Sequence, residues 1–257
     1  MIEVKNLSYQ IGNKPILRHI DMQARPGELL AMIGPNGAGK STLMKLLCGE
    51  VKSPQDSISL HGKTLSGYKS KELALMRAVL TQANEVSVDF SVQELVTMGR
   101  YPHFEVNPSM TDLEIIEAVL EEMGIQHFKD RSYHSLSGGE KQRVQLARVL
   151  AQIYERPDAI LFLDEPINGL DIQYQQIILE KAKKMAAKGW TVLCVLHDIN
   201  FASKYADKIL ILKAGEVANF GTPTEIITAE NMLKTYNIRT KVWQDPEIGY
   251  PFIVPTS

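Results

Sequence analysis

Gly34, Pro35, Asn36, Gly37, Ala38, Gly39, Lys40, Ser41 and Thr42 stand in a row, and the run suits a polyphosphate. Two glycines separated by four residues, then a lysine and a hydroxyl residue, make the P-loop pattern. Gly37 and Gly39 let the backbone curl so that successive N–H groups face phosphate oxygens. Lys40 reaches the terminal phosphates, and the Ser41 hydroxyl is suited to Mg²⁺. A helix starting here, through Leu43, Leu46 and Leu47, adds its positive dipole end. Asp164 and Glu165 supply a second kind of chemistry. Asp164 can hold Mg²⁺, directly or through water, because that cation takes hard oxygen ligands. Glu165 is then free to orient or deprotonate a water attacking the γ-phosphate, a role worth about 10²- to 10⁴-fold in rate. His197 could polarise the γ-phosphate or the same water. Taken singly, these are a glycine turn, a strand end before Pro166 and a structural histidine. Their co-occurrence argues for a site.

Positioning them requires a frame, and the apolar runs supply one. Glu28–Ile33 feeds the P-loop, Ala159–Leu163 precedes Asp164-Glu165, and Thr191–Leu196 precedes His197-Asp198. Runs without polar alternation suit parallel strands covered on both faces. Ligands bind beyond the carboxyl ends of such strands, where all three polar groups fall. Lys213–Glu216 reads as a hairpin turn between Ile209–Leu212 and Val217–Phe220. Thr222, Pro223 and Glu225 form a helix start with cap, first-turn proline and capping acid.

The 257 residues can bury a sizeable core, with 44% apolar and 23% charged residues as in ordinary globular proteins. A net charge of −2 argues against a dedicated nucleic-acid surface. Cys48 and Cys194 sit among apolar neighbours and read as buried thiols rather than a disulfide or metal site. No apolar run approaches a membrane span and no signal peptide is recognised, so a cytosolic chain is expected, with any membrane part borrowed from a partner.

One motif remains. Ser137, Gly138, Gly139 and Glu140 precede a strongly helical stretch, Val144 to Tyr154. Locally they form a capping box, Ser137 as N-cap and Glu140 at the third helical position. Two successive glycines weaken a helix start, and make sense where exposed N–H groups meet a phosphate. Leu136-Ser-Gly-Gly-Glu140 resembles the signature motif of the ATP-binding cassette (ABC) ATPases. The rest of that family's set follows its order: the P-loop, Gln82 resembling the Q-loop glutamine, the signature, Asp164-Glu165 resembling the Walker B pair, Asn168-Gly-Leu-Asp171 resembling the D-loop, and His197 matching the switch histidine.

The resemblance implies an α/β fold: a RecA-like P-loop NTPase core, a small antiparallel β-subdomain and an inserted α-helical subdomain. In this chain, a single ABC ATPase domain, residues 1–85 and 155–221 would form the core with its antiparallel part, 86–154 the helical subdomain and 222–257 a helical or extended tail. Ile2–Leu7 and Ser57–His61 look like the antiparallel strands. It also implies ATP and Mg²⁺ as cofactors, and two copies paired head to tail, each ATP lying between one P-loop and the other copy's Ser137–Glu140. Asp171 would link the two sites, and Gln82 would sense Mg²⁺, ligate it and signal to the helical subdomain. Expected partners are a transmembrane permease dimer and, indirectly, a periplasmic or lipid-anchored substrate-binding protein. The expected place is the cytoplasmic face of the inner membrane, peripherally, with no nucleic acid.

There are departures. The residue before Gly12 is usually an adenine-stacking aromatic, and here it is Ile11; Tyr9, two positions earlier on the same strand face, is the substitute candidate. Glu140 stands where Gln is also common, and Ile167 where Thr is frequent.

A soluble cassette protein acting on ribosomes or DNA is the alternative of a different class. It is disfavoured because one motif set is present and no long coiled coil separates P-loop from signature. A P-loop kinase or GTPase leaves Ser137–Glu140 and His197 unexplained. Phe90–His103 and the tail Trp243–Pro255 resemble importers of iron-siderophores, haem and cobalamin. The lengthened segment Ala151–Asp158 most resembles hemin importer ATPases. His103, His127 and His134 are read as solvated or capping residues, not haem ligands.

Overall fold

The computed structural model describes residues 1–54, 56–81, 86–245 and 247–256. Strands β1 (Ile2–Ile11) and β2 (Lys14–Ala24) form a hairpin, and β1 also pairs with β4 (Ile58–Leu60), which pairs with β5 (Lys63–Thr64). All these pairs are antiparallel, in the order β2-β1-β4-β5. The ladder between β1 and β2 shifts register on both sides of Tyr9.

The central sheet has the order β10-β9-β3-β8-β7-β6. It contains β3 (Leu29–Ile33), β6 (Arg77–Leu80), β7 (Ile160–Asp164), β8 (Thr191–Val195), β9 (Lys208–Lys213) and β10 (Glu216–Gly221). Every pairing is parallel except that of the edge hairpin β9–β10. Its turn places Ala214 and Gly215 at positive φ, 49° and 82°, the left-handed pair that a two-residue hairpin needs.

Each central strand feeds two cores in alternation. Leu30 and Met32 of β3, Ile160 and Phe162 of β7, and Leu193 and Val195 of β8 face a cluster shared with the antiparallel sheet and helix α1 (Lys40–Leu47). Leu29, Ala31, Leu161, Leu163, Val192 and Cys194 face the opposite cluster. That one is covered by α3 (Val92–Met98), α4 (Met110–Glu122), α5 (Gly138–Ile153), α6 (Ile172–Ala187) and α7 (Ile199–Tyr205). Alternation of this kind explains why the strands read as unbroken apolar runs: neither face meets water. The short helix α2 (Ser70–Met76) leads into β6 and touches α5.

Arg100 closes the helical layer. Its buried guanidinium donates to Asp112 at 2.8 Å, to the Ala151 carbonyl at 2.8 Å and to Glu155 at 2.7 Å, tying the segment after α3 to α4 and to the end of α5. A buried cation with all directions answered fixes geometry more than it stabilises. Beyond β10 come α8 (Pro223–Ile226), α9 (Ala229–Tyr236) and an isolated antiparallel hairpin, β11 (Thr240–Gln244) with β12 (Pro251–Pro255). Thr222 and Glu225 form the expected capping box before α8. Both cysteines are buried and free.

Candidate functional site

The parallel register puts three chain segments at one level. Met32 pairs with Val195, and Val195 with Asp164. The P-loop, His197 and Glu165 therefore all leave the same edge within two residues of that line.

Gly34 passes β9 so closely that a Cβ there would lie 2.0 Å from the Leu212 carbonyl oxygen, so no other residue fits. Pro35 and Asn36 make the bend, with Asn36 and Gly37 exposed. Gly37 and Gly39 have φ of 77° and 104°, and Ala38 is buried with its carbonyl accepting from Gly215 N–H at 3.0 Å. Helix α1 starts from left-handed Gly39 with no side-chain cap, so its first turn keeps its dipole end open. Lys40 is buried and folds back over its own loop, donating to Gly34 O at 2.7 Å and Pro35 O at 3.1 Å. Burial lowers its pKa, opposed by the carboxylates of Glu165 and Asp164. Ser41 is exposed and Thr42 half-buried at the head of the helix.

Asp164, the last residue of β7, has a buried Oδ1 without a hydrogen-bond partner. Burial raises its pKa, and the neighbouring Glu165 carboxylate adds to the rise. An orphaned buried carboxylate oxygen is costly unless a cation answers it. Glu165 sits at φ 52°, in the left-handed region. Both its oxygens are engaged: Oε1 lies 2.6 Å from His197 Nε2, and Oε2 accepts from Asn168 Nδ2. Sequence reasoning gave Asn168 no part in this contact; an amide three residues after a turn carboxylate was the signal available.

Ser137 caps α5 as expected. Its N–H donates to Glu140 Oε2 at 2.8 Å, its hydroxyl donates to the same oxygen at 2.8 Å, and it accepts from Glu140 N–H at 3.4 Å. The Ser137 N–H, then its hydroxyl, hold the Glu140 carboxyl below its ordinary pKa. Ser137 and Gly138 face open space, whereas a Cβ on Gly139 would meet the Tyr174 ring at 2.8 Å. The second glycine is thus required by packing within the chain and the first is not. Asp171 caps α6 by accepting from Tyr174 N–H at 3.2 Å. Gln142, another residue the sequence did not single out, donates to Pro166 O at 2.8 Å and ties the signature helix to the turn after Glu165.

Within one chain the two glycine-rich turns stay apart, α1 in the cluster between the sheets and α5 in the cluster on the other face. Tyr9 is half-buried against the cluster between the sheets, whereas Ile11 is 61% exposed at the hairpin end. The shared strand face does not give them the same surroundings. Gln82 lies outside the described residues; β6, which leads toward it, pairs Leu80 with Leu163.

The sequence profile of the ABC transporter family matches residues 17–168. The chain belongs to the ABC transporter family. It is 40% identical to the hemin import ATP-binding protein HmuV of Gloeobacter violaceus, over 99% of this chain and 94% of that one. The namesake from Pseudoalteromonas translucida is also 40% identical, over 98% of each chain. Among solved structures, a chain of an inward-facing ABC transporter assigned to the metal-chelate type superposes with a TM-score of 0.84 at 27% identity, covering 100% of this chain and 97% of its own. The cassette is therefore an ATP-binding, ATP-hydrolysing subunit with the α/β P-loop core expected of it. Among the described residues, no helix of this cassette is long and apolar enough to cross a membrane.

Proposed function

We propose that this cassette energises the import of hemin, working as a head-to-tail pair on a transmembrane permease dimer at the cytoplasmic face of the membrane. The observation that carries the catalytic part is Glu165. It is held by His197 and Asn168 at the sheet edge, beside the unanswered Asp164 oxygen. In this reading the P-loop N–H groups and Lys40 bind the phosphates of ATP. Mg²⁺ would be held by Asp164, whose buried oxygen lacks a partner, and by the Ser41 hydroxyl, with Gln82 as the further oxygen donor that the family resemblance implies, and it would neutralise charge on the phosphate oxygens. Glu165 takes a proton from the attacking water while His197 keeps its carboxylate aimed. The partner copy's Ser137, Gly138, Gly139 and Glu140 close over the γ-phosphate, Asp171 faces the partner, and Tyr9 is the candidate base contact. Hydrolysis removes the γ-phosphate contacts and loosens the pair, a ligand-driven shift of population.

Hemin as cargo is supported by the names of the relatives that align over nearly the whole chain. A substrate-binding protein, periplasmic or lipid-anchored, would deliver it. Glu165→Gln is expected to keep ATP affinity and lose about 10²-fold or more of turnover. Turnover near the parent rate would remove Glu165 as the base. For the cargo, the cassette is reconstituted with its permease and binding protein. Stimulation of hydrolysis by hemin supports the reading, and stimulation by a ferric siderophore or cobalamin instead overturns it.

A further inference from the structure

The C-terminal hairpin β11–β12 has no part in the chemistry above, yet its attachment point is close to it. The hairpin joins neither large sheet, and two strands alone are marginal in water, so it must be held from outside. Helix α7 does this. The Asn200 side chain treats Ile253 as a strand would: its Oδ1 accepts from Ile253 N–H at 2.8 Å and its Nδ2 donates to Ile253 O at 3.2 Å. One turn on, the buried Ser203 hydroxyl donates to the Pro251 carbonyl. Ile253 and Val242 then seal the hairpin against the helical-side core. Helix α7 has seven residues, too few to hold a position by itself, and β12 is its most extensive neighbour.

Asn200 lies in the first turn of α7. That turn is capped by Asp198, which accepts from Phe201 N–H at 2.9 Å and directly follows His197. His197 sits between two anchors: Leu196, whose N–H reaches the Met32 carbonyl at 3.1 Å, and the head of α7. The first is fixed by the sheet. The second is held by the hairpin together with β3, α6 and α8, the hairpin being the neighbour bonded to its first turn through Asn200.

We propose that Asn200 is a positioning residue for ATP hydrolysis: through it the C-terminal hairpin sets the first turn of α7 and so holds His197 against Glu165. The inference rests on the roles given above to His197 and Glu165. Small displacements of a catalytic contact from a distance can cost up to about 10²-fold in rate.

The test measures kcat and ATP affinity for the full-length Asn200→Ala, His197→Ala and combined variants. Asn200→Ala is expected to lower kcat about tenfold with ATP affinity unchanged, and to add nothing in the His197→Ala background, because residues acting through one contact are not additive. Should Asn200→Ala fail to fold, Asn200→Asp, which keeps the acceptor for Ile253 N–H, is read in the same cycle. An unchanged kcat in Asn200→Ala, or an equal proportional loss with His197 already removed, overturns the proposal. A His197→Ala variant with the parent kcat would instead strike the reading beneath it.

Discussion

Helices α1 and α5 both begin on glycine-rich turns, and they treat the first turn in opposite ways. At α1 the chain leaves its polar groups unspent. No side chain caps Gly39, Lys40 has only its own loop carbonyls, and nearby Asp164 keeps a buried oxygen unpaired. At α5 the chain has already satisfied itself, with Ser137 and Glu140 answering each other's donors. A lone chain is thus primed to bind anion and cation at the first end. At the second, a phosphate meets a helix start whose Ser137 and Glu140 N–H groups are already answered. The asymmetry fits a site whose primary half binds first and whose second half arrives later.

The largest break in the comparison is Ser137→Arg. It puts a bulky cation at the open, exposed end of α5 without touching the P-loop. Turnover is expected to fall by about 10²-fold or more, the scale of losing a phosphate-side donor, while ATP binding to the single chain is kept. Normal turnover would show that the signature end does not close on nucleotide. Lys40→Ala does the reverse. Loss of a charged hydrogen-bond donor, worth about 1.5–3 kcal/mol, should weaken ATP binding to the isolated chain by about 10- to 100-fold in calorimetry. Unchanged affinity would mean that Lys40 never leaves the carbonyls of Gly34 and Pro35.

How much of this was legible beforehand follows the same division. The P-loop, Asp164-Glu165 and His197 could be placed from sequence because each ends an apolar run, and parallel register turns that pattern into a common edge. Ser137 and Glu140 were legible as a cap because capping is a local hydrogen-bond exchange. Asn168, Gln142 and Asn200 were not. Gln142 and Asn200 act by reaching groups that the fold, not the local chain, brings near, Gln142 across 24 positions to Pro166 and Asn200 across 53 to Ile253. Asn168 answers a carboxylate only three residues before it, a local contact that the left-handed turn at Glu165 sets up. Tyr9 and Ile11 show the limit of strand alternation: the ladder shifts twice around Tyr9, and the two side chains meet different surroundings.

Asp164→Asn tests the claim that the P-loop side is held in an unsatisfied state. Because burial raises the Asp164 pKa, the folded chain keeps a proton at pH values where the unfolded chain has released it. The residue's contribution to stability therefore falls as pH rises from the ordinary carboxylate value, about 3.9, through the raised one, and the full cost is present above that window. The amide carries no charge to desolvate. Nucleotide-free Asp164→Asn is expected to be more stable near neutral pH by about 0.5–2 kcal/mol, and to lose that advantage at acid pH. A lowered melting temperature at neutral pH would show that the Asp164 oxygen is already answered.

The smallest effect falls on Glu140, and it separates capping from charge. Its carboxylate accepts from the Ser137 N–H and hydroxyl, each at 2.8 Å, and those bonds keep it ionised. It therefore stabilises the helix start while placing a negative charge where, in the proposed head-to-tail pair, the γ-phosphate would arrive. Glu140→Gln keeps an acceptor for Ser137, since Gln serves the capping box as well, but removes the charge. Interactions of a charge with a helix terminus are worth about 0.3–1 kcal/mol, so half-maximal turnover should need about two- to fivefold less ATP, with ATP binding to the single chain unchanged. The advantage should shrink as salt is raised, because the repulsion it relieves is screened at an exposed surface. If the ATP requirement is unchanged or higher, the carboxylate is not opposing closure, and the self-satisfied state of α5 has no influence on when the second half of the site engages.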